Sequence, residues 1–396
     1  MKTISYGSQF IDNHDSKLVI KSLKERFITT GKFVERFEEN LKNFFKSKYA
    51  LTCTSGTAAL HLSFKSINLK EDDIVVMPAI NFVAAYSLCL SMKAKVYLAD
   101  VDKYTGQMTP DLLKNCIKKN KIKNIKLIVT MYLGGKPNYI EEFYKIKKKY
   151  KSILIEDACH ALGASYKVKN KSHKIGSCKH SDISIFSLHP LKTITTGEGG
   201  IISTNNKKIF KRIKYFRSHG IMRHSNDHWK YDIYDIGLNY RLSDINCALG
   251  ISQLKKIKFF IKKRGKVSDV YSKNFKEIKQ YVITNNFHNI NSSSAFHLII
   301  ISINFNKLKI NKDKIMRHLK SKGITSQFHY IPLYRFLKLS KKYGNKFNLK
   351  DFSNSEYYFK NSLSLPIYVN LPLNKQTYII KTIKNYILKN VKRNFQ

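Results

Sequence analysis

Between Tyr49 and Thr204, short β-branched apolar runs alternate with longer stretches of helical spacing. This alternation restricts the chain to folds in which crossover helices cover a mostly parallel sheet. Strands are predicted at Tyr49 to Cys53, Asp73 to Met77, Lys95 to Leu98, Lys126 to Met131 and Ser152 to Glu156. Helices are predicted between them, at Gly56 to Ser66, Phe82 to Met92, Pro110 to Lys118 and Asn138 to Tyr150, with Pro110 and Pro137 where a helix can begin. After Glu156 the rhythm changes. Asp182 to Ser187 and Gly200 to Thr204 read as strands joined by a Pro/Gly/Thr-rich turn with no room for a helix. A long helical stretch from Leu242 to about Arg264 then leads to a second region, where Phe296 to Ile303 reads as a strand and Lys312 to Lys322 as a helix. The expected class is α/β, with a large domain over residues 1–250 and a smaller C-terminal α+β domain over residues 251–396.

The net charge of +45 sets up a strong positive field to which polyanions should adhere. Its lysines are spread over nearly every segment among abundant Ile and Asn, the mark of AT-rich coding rather than of a nucleic-acid face. A specific nucleic-acid partner is therefore not expected, although the field would steer an anionic substrate. The six cysteines contain no C-x-x-C pair and no dense framework, so reduced thiols are the expectation. Met1 to Phe10 lacks the apolar core of a signal peptide and no apolar run reaches membrane-spanning length, so a soluble, cytoplasmic protein is expected.

Three segments carry chemistry. Thr54-Ser55-Gly56-Thr57 follows a strand and opens a helix, where free N–H groups and hydroxyls suit a phosphate; it is equally an ordinary helix cap. Glu156-Asp157-Ala158-Cys159-His160 ends an apolar strand with two acids and a histidine, residues that serve a site or merely cap a turn. His160 taken alone is as readily a core histidine. Ser187 to Gly200 holds Lys192 in a compact polar turn, and partial burial there would lower its pKa and expose a neutral amine. No metal is expected, since His173, His180 and His189 lack a known ligand spacing. A lysine, an acid and an anion site together are what pyridoxal 5′-phosphate (PLP) chemistry requires.

In this order, the three segments resemble the DegT/StrS family of PLP-dependent sugar aminotransferases, of fold type I. The likeness extends to Ile11-Asp12, Thr30-Gly31-Lys32, Arg217-Ser218-His219-Gly220 and Gly237 to Ser243. It implies that Lys192 is the Schiff-base lysine and proton shuttle, and that Asp157 is the pyridinium partner. It further implies that His160 lies beside the cofactor ring, that Phe82 stacks on it, and that Gly56, Thr57 and Ser187 are phosphate ligands. Asn239 resembles an asparagine that reaches the cofactor of the neighbouring subunit, which implies a homodimer with shared active sites. Within the family, the segments His160 to Tyr166, Ser187 to Lys192, Asn246 to Gly250 and Gln327 to Tyr334 resemble the branch acting in pseudaminic acid biosynthesis. That branch aminates C4 of a UDP-linked 4-keto-6-deoxy-N-acetylhexosamine with L-glutamate, and His329 and Tyr330 then fall near the sugar nucleotide. Leu188 and Ser87 depart from its usual aromatic and asparagine. The alternatives are another nucleotide-linked keto sugar, dTDP- or GDP-borne, and a catalytically silent basic regulatory or nucleic-acid-binding protein on the same fold.

Overall fold

The computed structural model describes residues 3–223, 227, 229–284, 291–344 and 347–393. In chain order the first strands are β1 (Tyr49–Cys53), β2 (Ile74–Pro78), β3 (Lys95–Ala99), β4 (Leu127–Met131) and β5 (Ile153–Asp157). A small hairpin follows, of β6 (Ser165–Val168) and β7 (Lys171–Lys174), and then β8 (Ile183–Ser187) and β9 (Gly200–Thr204). Seven of these form one sheet in the order β1-β9-β8-β5-β4-β2-β3. Strands β2, β3, β4, β5 and β8 run parallel, whereas β9 is antiparallel to both β8 and β1.

Crossover helices Gly56–Ser66, Val83–Ser91, Pro110–Lys119 and Ile140–Tyr150 join the parallel strands. Burial on both faces explains why the strands read as continuous apolar runs; every residue of β4 and β9 is buried. Parallel strands all deliver their carboxyl ends to one edge of the sheet, where the crossover turns gather. The antiparallel β8–β9 pair sets Ser187 opposite Gly200, so the loop carrying Lys192 hangs at that same edge.

The single long helix expected from Leu242 is two helices, Asp244–Lys255 and Ile257–Phe275. They join at Lys256, whose ammonium reaches Asp15 at 2.7 Å and Asp12 at 2.9 Å. No Pro or Gly marks the break, which falls at the residue that contacts the chain's beginning. Asp244 makes a second such contact: its carboxylate accepts the N–H groups of Gly31 (2.7 Å) and Phe33 (2.8 Å), capping helix Lys32–Phe45 from outside. The motifs at Thr30 and Ser243 therefore meet as a helix cap.

An exposed hairpin of β10 (Ile221–Arg223) and β11 (Tyr231–Ile233) precedes these helices. Beyond them, β12 (Val282–Thr284), β14 (Ile299–Ile303) and β15 (Ser362–Leu365) form an antiparallel sheet, while β13 (Ser292–Ser293) pairs with β6. Its apolar core includes Ile301, Ile315, Leu363 and Ile383, together with Ile4, which bridges to Ile324. The strand expected from Phe296 starts three residues later, because Phe296 turns into the left-handed region at φ +49°. Among the described residues, no helix is long and apolar enough to cross a membrane.

Candidate active site

A cavity of about 580 Å³ opens at the carboxyl edge of the sheet. Its wall includes Gly56, Thr57, Phe82, Asp157, His160, Ser187, Lys192, His329 and Tyr330, so the structure gathers nine of the ten residues named from the sequence. Asn239 is the tenth; it is exposed and outside this cavity, and forms an isolated bridge with Ser218.

The turn after β1 supplies an anion site. Ser55 Oγ caps the helix by accepting the Ala58 N–H at 3.0 Å, and the carbonyl of Ser55 takes that of Ala59. Among the described residues the N–H groups of Gly56 and Thr57 meet no acceptor, and they stand at the positive end of the helix dipole. Space at Gly56 is tight, for a Cβ there would lie 3.0 Å from Ser187 Cβ and 3.3 Å from Cys159 Sγ. Ser187 Oγ accepts the His189 N–H at 3.3 Å, which leaves its own proton for another partner.

Strand periodicity separates the two acids that end β5. Glu156 accepts the Tyr132 hydroxyl at 2.7 Å and also that of Ser184, a sealed polar network within the fold. Asp157 faces the cavity instead. Burial raises its pKa above the usual carboxylate range, opposed by hydrogen bonds from Cys159, whose N–H lies 3.3 Å away, and by the charge of Lys192. Lys192 is held by its loop: its N–H bonds the His189 carbonyl at 2.9 Å, and Thr195 Oγ1 bonds that of Leu188 at 2.9 Å. The lysine side chain lines the cavity and is partly buried by its walls. Desolvation accordingly lowers its pKa, with Cys159 and Asp157 pulling the other way.

The opposite wall is rich in histidine. The rings of His160 and His297 lie 4.1 Å apart between centroids, and His160 Nε2 is 3.0 Å from the Tyr330 hydroxyl. His329 Nδ1 bonds Ser364 Oγ at 2.8 Å, and its carbonyl accepts the Tyr358 hydroxyl at 2.8 Å. Burial pushes His160 and His297 well below the ordinary histidine value and His329 down to about 3, so this wall is uncharged at neutral pH. The exposed Phe82 ring sits 5.7 Å from that of Tyr330.

Sequence reasoning missed Tyr6 and His297, both of which line the cavity. Tyr6 stands outside every periodic segment. His297 was absorbed into an expected strand, and only the turn at Phe296 frees it. The two departures noted above lie off the wall: Leu188 is fully buried in the core, and Ser87 sits on the helix behind Phe82. His173 and His180 pack around Tyr166, away from the cavity. Taken together, the residues present can hold an anion at a helix start, face a cationic ring nitrogen with a carboxylate, and offer a lysine amine whose pKa burial lowers.

The fold is that of an aminotransferase. It aligns with PseC of Helicobacter pylori, an aminotransferase involved in the biosynthesis of pseudoaminic acid, with a TM-score of 0.86 and 29% identity, over 99% of this chain and 100% of that one. The pattern of the DegT/DnrJ/EryC1/StrS aminotransferase family matches residues 9–384, and the chain belongs to that family. It is 36% identical to the UDP-4-amino-4,6-dideoxy-N-acetyl-beta-L-altrosamine transaminase of Campylobacter jejuni, over 99% of both chains. The transaminase of the same name from Helicobacter pylori is 31% identical, over 98% of this chain and 99% of its own.

Proposed function

We propose that this chain is a PLP-dependent transaminase that moves the amino group of L-glutamate to C4 of a UDP-linked 4-keto-6-deoxy-N-acetylhexosamine, a step of pseudaminic acid biosynthesis. The observation that carries the reading is the convergence of Lys192, Asp157 and the helix start at Gly56 on one cavity. Full-length likeness to two transaminases named for that sugar product supports the substrate.

The donor set fits PLP. A buried carboxylate with a raised pKa lacks a full counter-charge, and a protonated pyridine nitrogen would provide one. Gly56 and Thr57 N–H and the Ser187 hydroxyl would hold the phosphate, Phe82 and His160 would flank the ring, and Lys192 would bind the cofactor covalently. When bound, PLP withdraws electrons from the carbon that carries the exchanging amino group. Lys192 Nζ, its pKa lowered by desolvation, would carry a proton between the substrate carbon and the cofactor carbon that exchange the amine. The histidine wall is uncharged and weakly basic, so it does not compete for that proton, and His329 and Tyr330 border the sugar.

A second copy completes the site in this reading. Asn239 follows the β10–β11 hairpin, where Trp229, Tyr234 and Ile236 are 64%, 65% and 74% exposed. Burying that apolar surface in a homodimer would carry Asn239 to the partner's cofactor phosphate.

The test is an absorbance spectrum of the protein with PLP, before and after borohydride, with peptide mapping of the adduct. A pyridoxyl group on Lys192, followed by turnover with the UDP-linked keto sugar in preference to GDP- and dTDP-linked ones, is the expected result. Labelling scattered over surface lysines would sink the reading and bring a basic binding protein on an aminotransferase fold to the front.

A further inference from the structure

We propose that the backbone amide of Gly134 sets the direction of a hydrogen-bond chain through His160, which leaves the Tyr330 hydroxyl as an obligatory donor to an acceptor oxygen held in the cavity. The inference rests on the aminotransferase reading and adds to it a polarised relay with one orientation.

The Gly134 N–H points at His160 Nδ1, 3.4 Å away. An amide nitrogen cannot accept, so Nδ1 must be the bare, accepting nitrogen of the ring. The one ring proton of a neutral imidazole then sits on Nε2, 3.0 Å from Tyr330 Oη, and Nε2 donates to the phenol. Charging the ring would place an Nδ1 proton against the amide proton. Desolvation and the nearby Lys192 charge act in the same sense, against the imidazolium.

Having accepted from Nε2, the Tyr330 hydroxyl must turn its own proton elsewhere. Tyr330 lines the cavity, and its hydroxyl has no other partner among the hydrogen bonds of the described residues.

The start of the chain is rigid. The Gly134 carbonyl accepts the N–H groups of His297 (3.0 Å) and Leu298 (3.3 Å). The next residue, Gly135, has φ +96°, and a Cβ there would lie 2.6 Å from the His160 carbonyl oxygen. Only glycine lets these two backbones approach so closely. The relay is therefore built into the backbone at the end of β4, and His160 acts on Tyr330 as a positioning residue.

The ligand chemistry is an acceptor oxygen, on the keto sugar or on the cofactor ring. The experiment is to follow each half-reaction separately by cofactor absorbance, with glutamate and then with the keto sugar, in wild type, Tyr330→Phe, His160→Gln, His160→Ala and the Ala/Phe double variant. Loss of one such hydrogen bond is expected to slow the affected step about 10- to 100-fold. If the partner is the sugar, Tyr330→Phe slows only the sugar half-reaction; if it is the cofactor, the pH midpoint of the bound-cofactor spectrum also shifts. His160→Gln, which keeps an N–H near the Nε2 position, should recover part of what His160→Ala loses. The double variant should be no slower than the worse single one. The relay is overturned if Tyr330→Phe leaves both half-reactions and the spectrum within about twofold of wild type, or if the two single losses multiply. A wild type that forms no Lys192 adduct would instead defeat the aminotransferase reading on which the relay stands.

Discussion

The two walls of the cavity are built differently. On the sheet side, Gly56, Asp157, Ser187 and Lys192 sit at or beyond strand ends, on the turns after β1, β5 and β8, with Ser187 and Lys192 sharing the last. The histidine side is assembled from far-apart pieces: His160 after β5, His297 before β14, and His329 with Tyr330, backed by Ser364 and Tyr358. The first wall carries groups whose charge must change or be matched. The second is uncharged, and its groups are tied to the fold, His160 to Tyr330 and the Gly134 amide and His329 to Ser364. A reacting group needs a fixed backbone but a titratable environment, whereas a wall that orients a neutral sugar gains from having no charge to lose.

Four experiments would break or sharpen this contrast. Replacing Lys192 by Ala should cut turnover by on the order of 10⁴-fold or more, since the reacting amine itself is removed. Steady-state assay in amine-free buffer decides this, and substantial residual turnover would place the chemistry elsewhere. Asp157→Asn keeps the shape and removes the charge, and kcat should fall about 10²- to 10⁴-fold while the fold persists. An unchanged absorbance spectrum and rate would show that the carboxylate only caps its turn.

Acid should act on the other wall. His329 titrates near 6.5 when unfolded but at about 3 in the native chain. Between those values the unfolded state binds more protons, so stability is lost as pH falls through that window. His160 and His297 are depressed in the same direction and add to the loss. Urea unfolding at several pH values should give a shallower acid dependence for His329→Asn than for wild type, and parallel curves would mean that the native imidazole is not kept neutral. The smallest effect belongs to Gly56→Ala, which presses a methyl group onto Ser187. It should cost about 1–3 kcal/mol of stability and weaken cofactor retention; a thermal melt with the wild-type Tm would show that Ser187 yields freely.

Both walls were largely legible: His160, His329 and Tyr330 line the cavity as the sheet-side residues do, because the motifs that carry the family resemblance are short and contiguous. Of the two acids that end β5, Asp157 was the expected cofactor partner, and the pleat puts it on the cavity and Glu156 in a sealed network. His297 was hidden by the left-handed turn at Phe296, a conformation that its residue type does not announce. The break at Lys256 was equally silent, for no local residue marks it and its ion pairs reach Asp12 and Asp15, more than two hundred residues earlier.

The sequence by itself determined the α/β class, the parallel strands and the strand-end motifs, because hydrophobic period and turn chemistry act over a few residues. Only the tertiary structure decided which ring nitrogen of His160 carries its proton, which distant carboxylate caps helix Lys32–Phe45, and that three histidines share one uncharged wall. Those outcomes depend on the distance and direction between groups far apart in the chain, which become defined only when the packed core holds them together.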